Sequence, residues 1–168
     1  MPEKETLKRA QKDKREGKAS TTQAGEFVRE EIEHVREGKH GARSTQQAIA
    51  IGLSKARRAG VDLPPPEKGT TSKQTRHSAK RAYEAGQKGG KKVSGTRSRA
   101  VKRALKREGR SAASKKALAK QGRSAAARRS QGERSAAARK AVRTKGAAGR
   151  SAAARKAART RARKRSGR

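Results

Sequence analysis

The sequence predicts a chain that is mostly α and disordered: a small helical hairpin followed by a long, basic, Ala-rich tail that is disordered or transiently helical. Three observations carry that expectation. Apolar residues make up only 29% of the 168 positions, with one Phe, one Tyr and no Trp, too little to assemble a sizeable core. The formal net charge of +35 is unevenly placed: residues 1–66 hold 14 Lys+Arg against 10 Asp+Glu, and residues 67–168 hold 35 against 4. Such asymmetry marks a nucleic-acid or anionic-surface tail. Third, the phrase Arg-Ser-Ala-Ala recurs at 110–113, 123–126, 134–137 and 150–153, with serines 13, 11 and 16 residues apart. A solenoid needs a constant period and an apolar face to stack. These repeats drift and offer little larger than alanine, so they repeat charge and helix propensity.

The chain divides into four stretches. Residues 1–19 form a charged N-terminal helical arm, supported by Glu5 with Arg9 and Lys12 with Glu16 at i, i+4 but weak in isolation. Residues 20–63 read as the hairpin domain. Its first helix, residues 23–37, has Thr21 and Thr22 as N-cap candidates and Val28, Ile32 and Val35 in one stripe with Phe27 beside them, the amphipathic pattern. Glu26, Glu30, Glu31, Glu33 and Glu37 are assigned to its solvated face. Gly38 stops it.

Ser44 and Gln47 form a capping box for the second helix, about residues 45–59, with Gly60 as its stop signal. Ile49, Leu53 and Ala56 give its stripe. Gly52 inside it costs roughly 1 kcal/mol of helix propensity, which close approach of the partner helix would explain. Val61 and Leu63 complete an eight-residue core before Pro64-Pro65-Pro66, and so small a core suggests dimerisation or a borrowed surface.

Residues 64–95 read as a Pro/Gly/Lys linker with a short helix at 72–85. The glycines near Lys88, Lys91 and Lys92 lack the phosphate-loop spacing. Residues 96–168 form the basic repeat tail. Gly109, Gly122, Gly132, Gly146 and Gly149 would cut it into pieces, with Ser111, Ser124, Ser135 and Ser151 as N-caps. Short pieces with like charges at i, i+4, such as Lys102 with Lys106 and Arg103 with Arg107, predict folding only on binding.

The phrases Gly25-Glu26-Phe27-Val28-Arg29-Glu30-Glu31-Ile32, Glu37-Gly38-Lys39-His40-Gly41-Ala42-Arg43-Ser44 and Gln47-Ala48-Ile49-Ala50-Ile51-Gly52-Leu53-Ser54-Lys55-Ala56-Arg57-Arg58-Ala59-Gly60 together resemble a small bacterial domain family catalogued as of unknown function. The resemblance covers about residues 20–63 and implies a bacterial origin, with no catalytic residues. The tail is similar in composition to the histone H1-like tails of bacterial nucleoid proteins.

These features point to non-sequence-specific nucleic-acid binding by phosphate neutralisation, whose affinity falls steeply with salt. Arginine supplies 20 of the 35 basic residues beyond position 66 and suits bidentate phosphate contacts. The candidate contacts are Arg97, Arg99, Lys102, Arg103, Lys106, Arg107, Arg110, Lys115, Lys116, Arg123, Arg128, Arg129, Arg134, Arg139, Lys140, Arg143, Arg150, Arg155, Lys156, Arg159, Arg161, Arg163, Lys164 and Arg165. If the repeats are interchangeable contacts, removing any one should lower affinity modestly and flatten the salt slope. Single-strand and RNA modules stack bases on aromatics, which are scarce here. Duplex DNA is therefore favoured, with RNA or the ribosome as the alternative. A second alternative is an adaptor whose hairpin docks a protein partner or a second copy through residues 20–63.

No nucleophile–base–orienter set is visible, so no enzyme is expected. There is no cysteine, and the spacing of His34 and His40 matches no strong metal signature. Neither a metal nor a cofactor is expected. No apolar run approaches a membrane span and the N-terminus lacks a secretory h-region. The expected location is the cytoplasm and nucleoid.

Overall fold

In the computed structural model, residues 2–89 and 94–166 are described, the side chains of Thr144, Lys145 and Lys164 excepted. The described residues form α1 (Lys4–Arg15), α2 (Ser20–Glu37), α3 (Thr45–Arg58), α4 (Lys73–Gln87), α5 (Gly95–Lys106), a 3-10 turn (Ser111–Ala113), α6 (Lys115–Ala127) and α7 (Gln131–Ser166). They group into two units, Met1–Gln121 and Gly122–Arg168, and the boundary falls within α6.

The first unit is built on the α2–α3 pair. Phe27, Ile32 and Val35 are buried and Val28 half-buried, as the 3.6-residue stripe requires. Gly52 sits where α3 meets α2: a Cβ there would stand 2.6 Å from the Cα of Val28 and 3.0 Å from the carbonyl of Phe27. Only glycine permits this crossing. The expected stop signals hold, with Gly38 left-handed at φ +79 and Gly60 at φ +84. Two details differ. α2 starts at Ser20 with Ala19 at its N-cap and no side-chain cap. The box at α3 is half made: the amide of Gln47 donates to the Ser44 hydroxyl at 3.1 Å, but the Gln47 side chain accepts from Arg43 at 2.7 Å.

α1 is not an independent arm. It packs on α2, where Ala10 joins Ala24, Phe27, Ala56 and Val61, with Leu7, Leu53 and Leu63 against them. Arg57 holds the chain leaving α3, donating to the carbonyls of Leu63 at 3.0 Å and Pro64 at 3.2 Å. Burial pulls its pKa below the usual arginine value. α4 then packs on α3 through Ala79 and Ala82, capped by Ser72. Gly86 lies so close to the Arg57 carbonyl that a Cβ would overlap it. The Tyr83 hydroxyl donates to Asp62 at 2.7 Å.

A second apolar cluster lies at the other end of α2. Ile32, Val35, Ala42 and Ala48 enclose Ala112 and Ala113, with Val28 and Leu118 against them. The backbone seals the junction: Gly41 donates to Leu105 at 2.9 Å and Ala42 to Gly109 at 3.0 Å. Arg36 donates to the carbonyl of Ala113 at 2.9 Å and Thr45 to that of Ala112 at 2.7 Å. The hairpin therefore borrows its missing surface from residues 105–118 of its own chain.

The fold expected from sequence is corrected here. The structure is not a hairpin with a disordered or transiently helical tail; the described part of residues 94–166 is helical almost throughout. The physical reason is that Ala, Lys and Arg are strong helix formers and the glycines cut the tail less than expected. Gly122 lies inside α6, and Gly132 and Gly149 lie inside α7. Only Gly146 (φ +62, ψ 178) breaks α7, dividing it into two arms. The expected caps also shift. Ser114 caps α6 through Ala117 at 3.2 Å. Before α7, Ser130 and Glu133 exchange bonds, Ser130 donating its amide at 2.7 Å and accepting from that of Glu133 at 3.2 Å, a complete capping box.

Candidate nucleic-acid interface and a buried charge cluster

The residues of α5 set one cationic face. At about 100° per residue, Arg99, Lys102, Arg103, Lys106 and Arg107 fall within an arc of about 140°, opposite Val101, which is 52% exposed. In α7 no face is apolar. Arg150, Arg155, Lys156, Arg159, Arg161, Arg163 and Arg165 spread over about 240° of the second arm's circumference.

Every sequence-predicted contact with a described side chain is exposed: Arg97 and the five α5 cations; Arg110, Lys115 and Lys116; Arg123, Arg128 and Arg129; and the named Arg and Lys residues of α7. The Lys164 side chain lies outside the described residues. Glu108 and Glu133 are the only acidic side chains beyond Thr96. Glu133 is held below the usual carboxylate range by the Ser130 amide. Some guanidinium groups also brace the backbone: Arg134 donates to the carbonyl of Arg129 at 2.7 Å and Arg150 to that of Val142 at 3.0 Å. Lys106 and Arg110 line an open cavity of about 480 Å³ with Glu37, His40 and Glu108.

The four repeats are not equivalent. In the first, Ala112 and Ala113 are 6% and 0% exposed, held in the core by Arg36 and Thr45. In the other three the alanines are exposed on helices. Copy one alone of the four is packed against the loop after α2, where Ala42 donates to the carbonyl of Gly109, while its Arg110 stays exposed.

A second assembly departs from the sequence expectation. Glu30 and Glu31, assigned from sequence to a solvated face, are each 1% exposed. α1 covers one and the loop after α2 the other, neither of which an amphipathicity pattern of α2 alone reveals. Glu30 accepts from the Glu3 amide at 3.1 Å and from Lys55 at 3.1 Å. Burial pushes the Glu30 carboxyl up, but the Glu3 amide, Thr6 and Lys55 together outweigh it and hold it below the usual value. Burial likewise pulls the Lys55 ammonium down, and Glu31 and Glu30 more than restore it. Lys55 also approaches Oε2 of Glu31 at 2.6 Å. That ion pair compensates the buried charge on Oε2.

The other Glu31 oxygen, Oε1, faces Nε2 of His40 at 2.9 Å. His34, one turn along α2 from Glu31, meets Oε1 of Glu3 at 2.8 Å, and Lys39 reaches the same oxygen at 3.1 Å. These bonds, His34 first, hold the Glu3 carboxyl down at about 2. The two imidazole rings meet edge to face, 6.0 Å between centroids. The sequence signal is Glu31-x-x-His34, an i, i+3 pair on one helix face.

Among the described residues no helix is long and apolar enough to cross a membrane. No curated protein and no solved structure matches the chain, so the likeness of the tail to histone H1-like proteins rests on composition. Residues 5–68, which take in α1 to α3 as well as the motifs that carried the resemblance, match the model of a family of unknown function (DUF6496).

Proposed function

We propose that the chain is a nucleoid-associated, histone H1-like binding protein of the bacterial cytoplasm, not an enzyme, that holds nucleic acid without reading its sequence. The observation that supports this most is the exposed cations of α5, α6 and α7, a stretch of sequence with two acidic side chains to offset them. Phosphates supply the missing anions, releasing counterions as they do. Helices already formed lower the ordering cost of binding. Duplex DNA is favoured because Tyr83 is bonded to Asp62 and Phe27 is in the core, which leaves no stacking platform among the aromatics. The adaptor reading keeps less support, since Glu30 and Glu31 are withdrawn from the acidic face it would use.

The test is binding of the intact chain and of a chain ending at Gln121 to duplex DNA and to structured RNA, across a salt series. Truncation must not reach further back, because Leu118 and Ala113 belong to the first unit's core. Loss of most affinity on truncation supports the reading; unchanged affinity would refute it.

A further inference from the structure

The buried cluster goes beyond the nucleic-acid reading and does not depend on it. We infer that Glu31, His34 and His40 form a binding site for a divalent transition-metal ion of the zinc class. One ligating atom from each lies within 4.8 Å of the others. Two come from successive turns of α2, and the third from the loop that left-handed Gly38 turns back beside the helix. Two imidazoles and one carboxylate are a donor set zinc accepts, with a fourth position left for water.

The hydrogen-bonding around the ligands fits that role. Nδ1 of His40 lies 3.0 Å from the carbonyl of Gly41. A carbonyl only accepts, so Nδ1 carries the hydrogen there. That leaves Nε2 as the ring atom turned toward the Glu31 carboxylate, at 2.9 Å. With bonds of about 2.0–2.1 Å, two tetrahedral zinc ligands stand about 3.3 Å apart, a small widening of the distance present. His34 is oriented by the Glu3 carboxylate, as outer carboxylates orient metal-bound histidines. Lys55 engages Oε2 of Glu31 and leaves Oε1 to bind through one oxygen.

Glu31 is 1% exposed, so its carboxylate is held in place among its charged partners. Bound there, the ion clamps the loop at residues 39–42 to α2, and through Gly41 and Ala42 it steadies the seat of residues 105–113.

The experiment titrates Zn2+ into untagged, nucleic-acid-free intact protein against a chromogenic chelator, and follows Co2+ by visible absorption. One equivalent should bind, the Co2+ complex should show the absorption of a four-coordinate N/O site, and zinc should raise the thermal midpoint. His34→Gln and His40→Gln should each weaken zinc at least tenfold, whereas His77→Gln, at an exposed histidine outside the cluster, should not. If either cluster variant fails to fold, the wild-type stoichiometry, cobalt spectrum and thermal shift decide. No saturable zinc binding by the wild type, or undiminished binding by folded His34→Gln and His40→Gln, would overturn the assignment.

Discussion

Lys55 of α3 stands 2.6 Å from Glu31 and 3.1 Å from Glu30 of α2, so that one ammonium serves two carboxylates that are almost completely buried. Removing it takes the shared ammonium from both, leaving Glu30 the Glu3 amide and Glu31 the His40 ring. Lys55→Met is expected to cost about 3–5 kcal/mol, as loss of one partner from a buried ion pair does. Lys80→Met, which breaks the exposed pair with Glu84, should change stability by less than about 1 kcal/mol. Urea midpoints at constant m-value measure both.

Gly52→Ala sets two effects against each other. Alanine gains about 1 kcal/mol of helix propensity, but its Cβ would stand 2.6 Å from the Cα of Val28, and backbone cannot yield as a side-chain tip can. The steric effect wins, and overpacking of this kind typically costs about 1–3 kcal/mol. A lowered thermal midpoint is the expected reading; a raised one would mean that α2 and α3 do not cross there.

The first repeat should behave unlike its copies. Ala113→Leu enlarges a side chain with no exposed surface and should destabilise by about 1–3 kcal/mol. Ala126→Leu, Ala137→Leu and Ala153→Leu alter the matching positions on exposed helix and should stay within about 0.5 kcal/mol of the parent. Thermal melts of the four variants separate the cases.

Acid should loosen the attachment of the N-terminus. The Glu3 carboxyl is held at about 2 against an ordinary 4.5, so the unfolded chain takes up this proton more readily than the folded one. The contribution is complete above about 4.5 and fades as pH falls toward 2. The difference in midpoint between the parent and Glu3→Gln should therefore shrink across that window and be constant above it.

Much of the first unit is legible in the sequence because its signals are local. Phe27, Ile32 and Val35 announce a stripe, Ser44 a cap, and Gly52 a close crossing. What escapes such signals is tertiary. α1 has too few apolar residues to predict its docking, yet Leu7 and Ala10 reach the Phe27 cluster, and that docking buries Glu30. The seat for Ala112 and Ala113 depends on a bond 67 residues apart in sequence, between Thr45 and Ala112, which no periodicity encodes. In the tail, repulsion between Lys102 and Lys106 acts in the expected direction, but the helix propensity of the surrounding alanines outweighs it. The capping box at Ser130 and Glu133 lies outside the repeated phrase, whose own serines are the more conspicuous candidates.

In the proposed function the exposed cations of α5, α6 and α7 grip phosphate without reading bases. The most direct measurement is competition binding of the intact chain to duplex DNAs of unrelated sequence and to structured RNA, from low to high salt. Equal affinity for the DNAs and a steep linear fall of log affinity with log salt are expected. Replacing Arg155, Arg159 and Arg163 with Gln should flatten the slope by about 0.9 for each phosphate no longer neutralised. A slope near zero, or strong preference for one DNA sequence that persists at high salt, would contradict it.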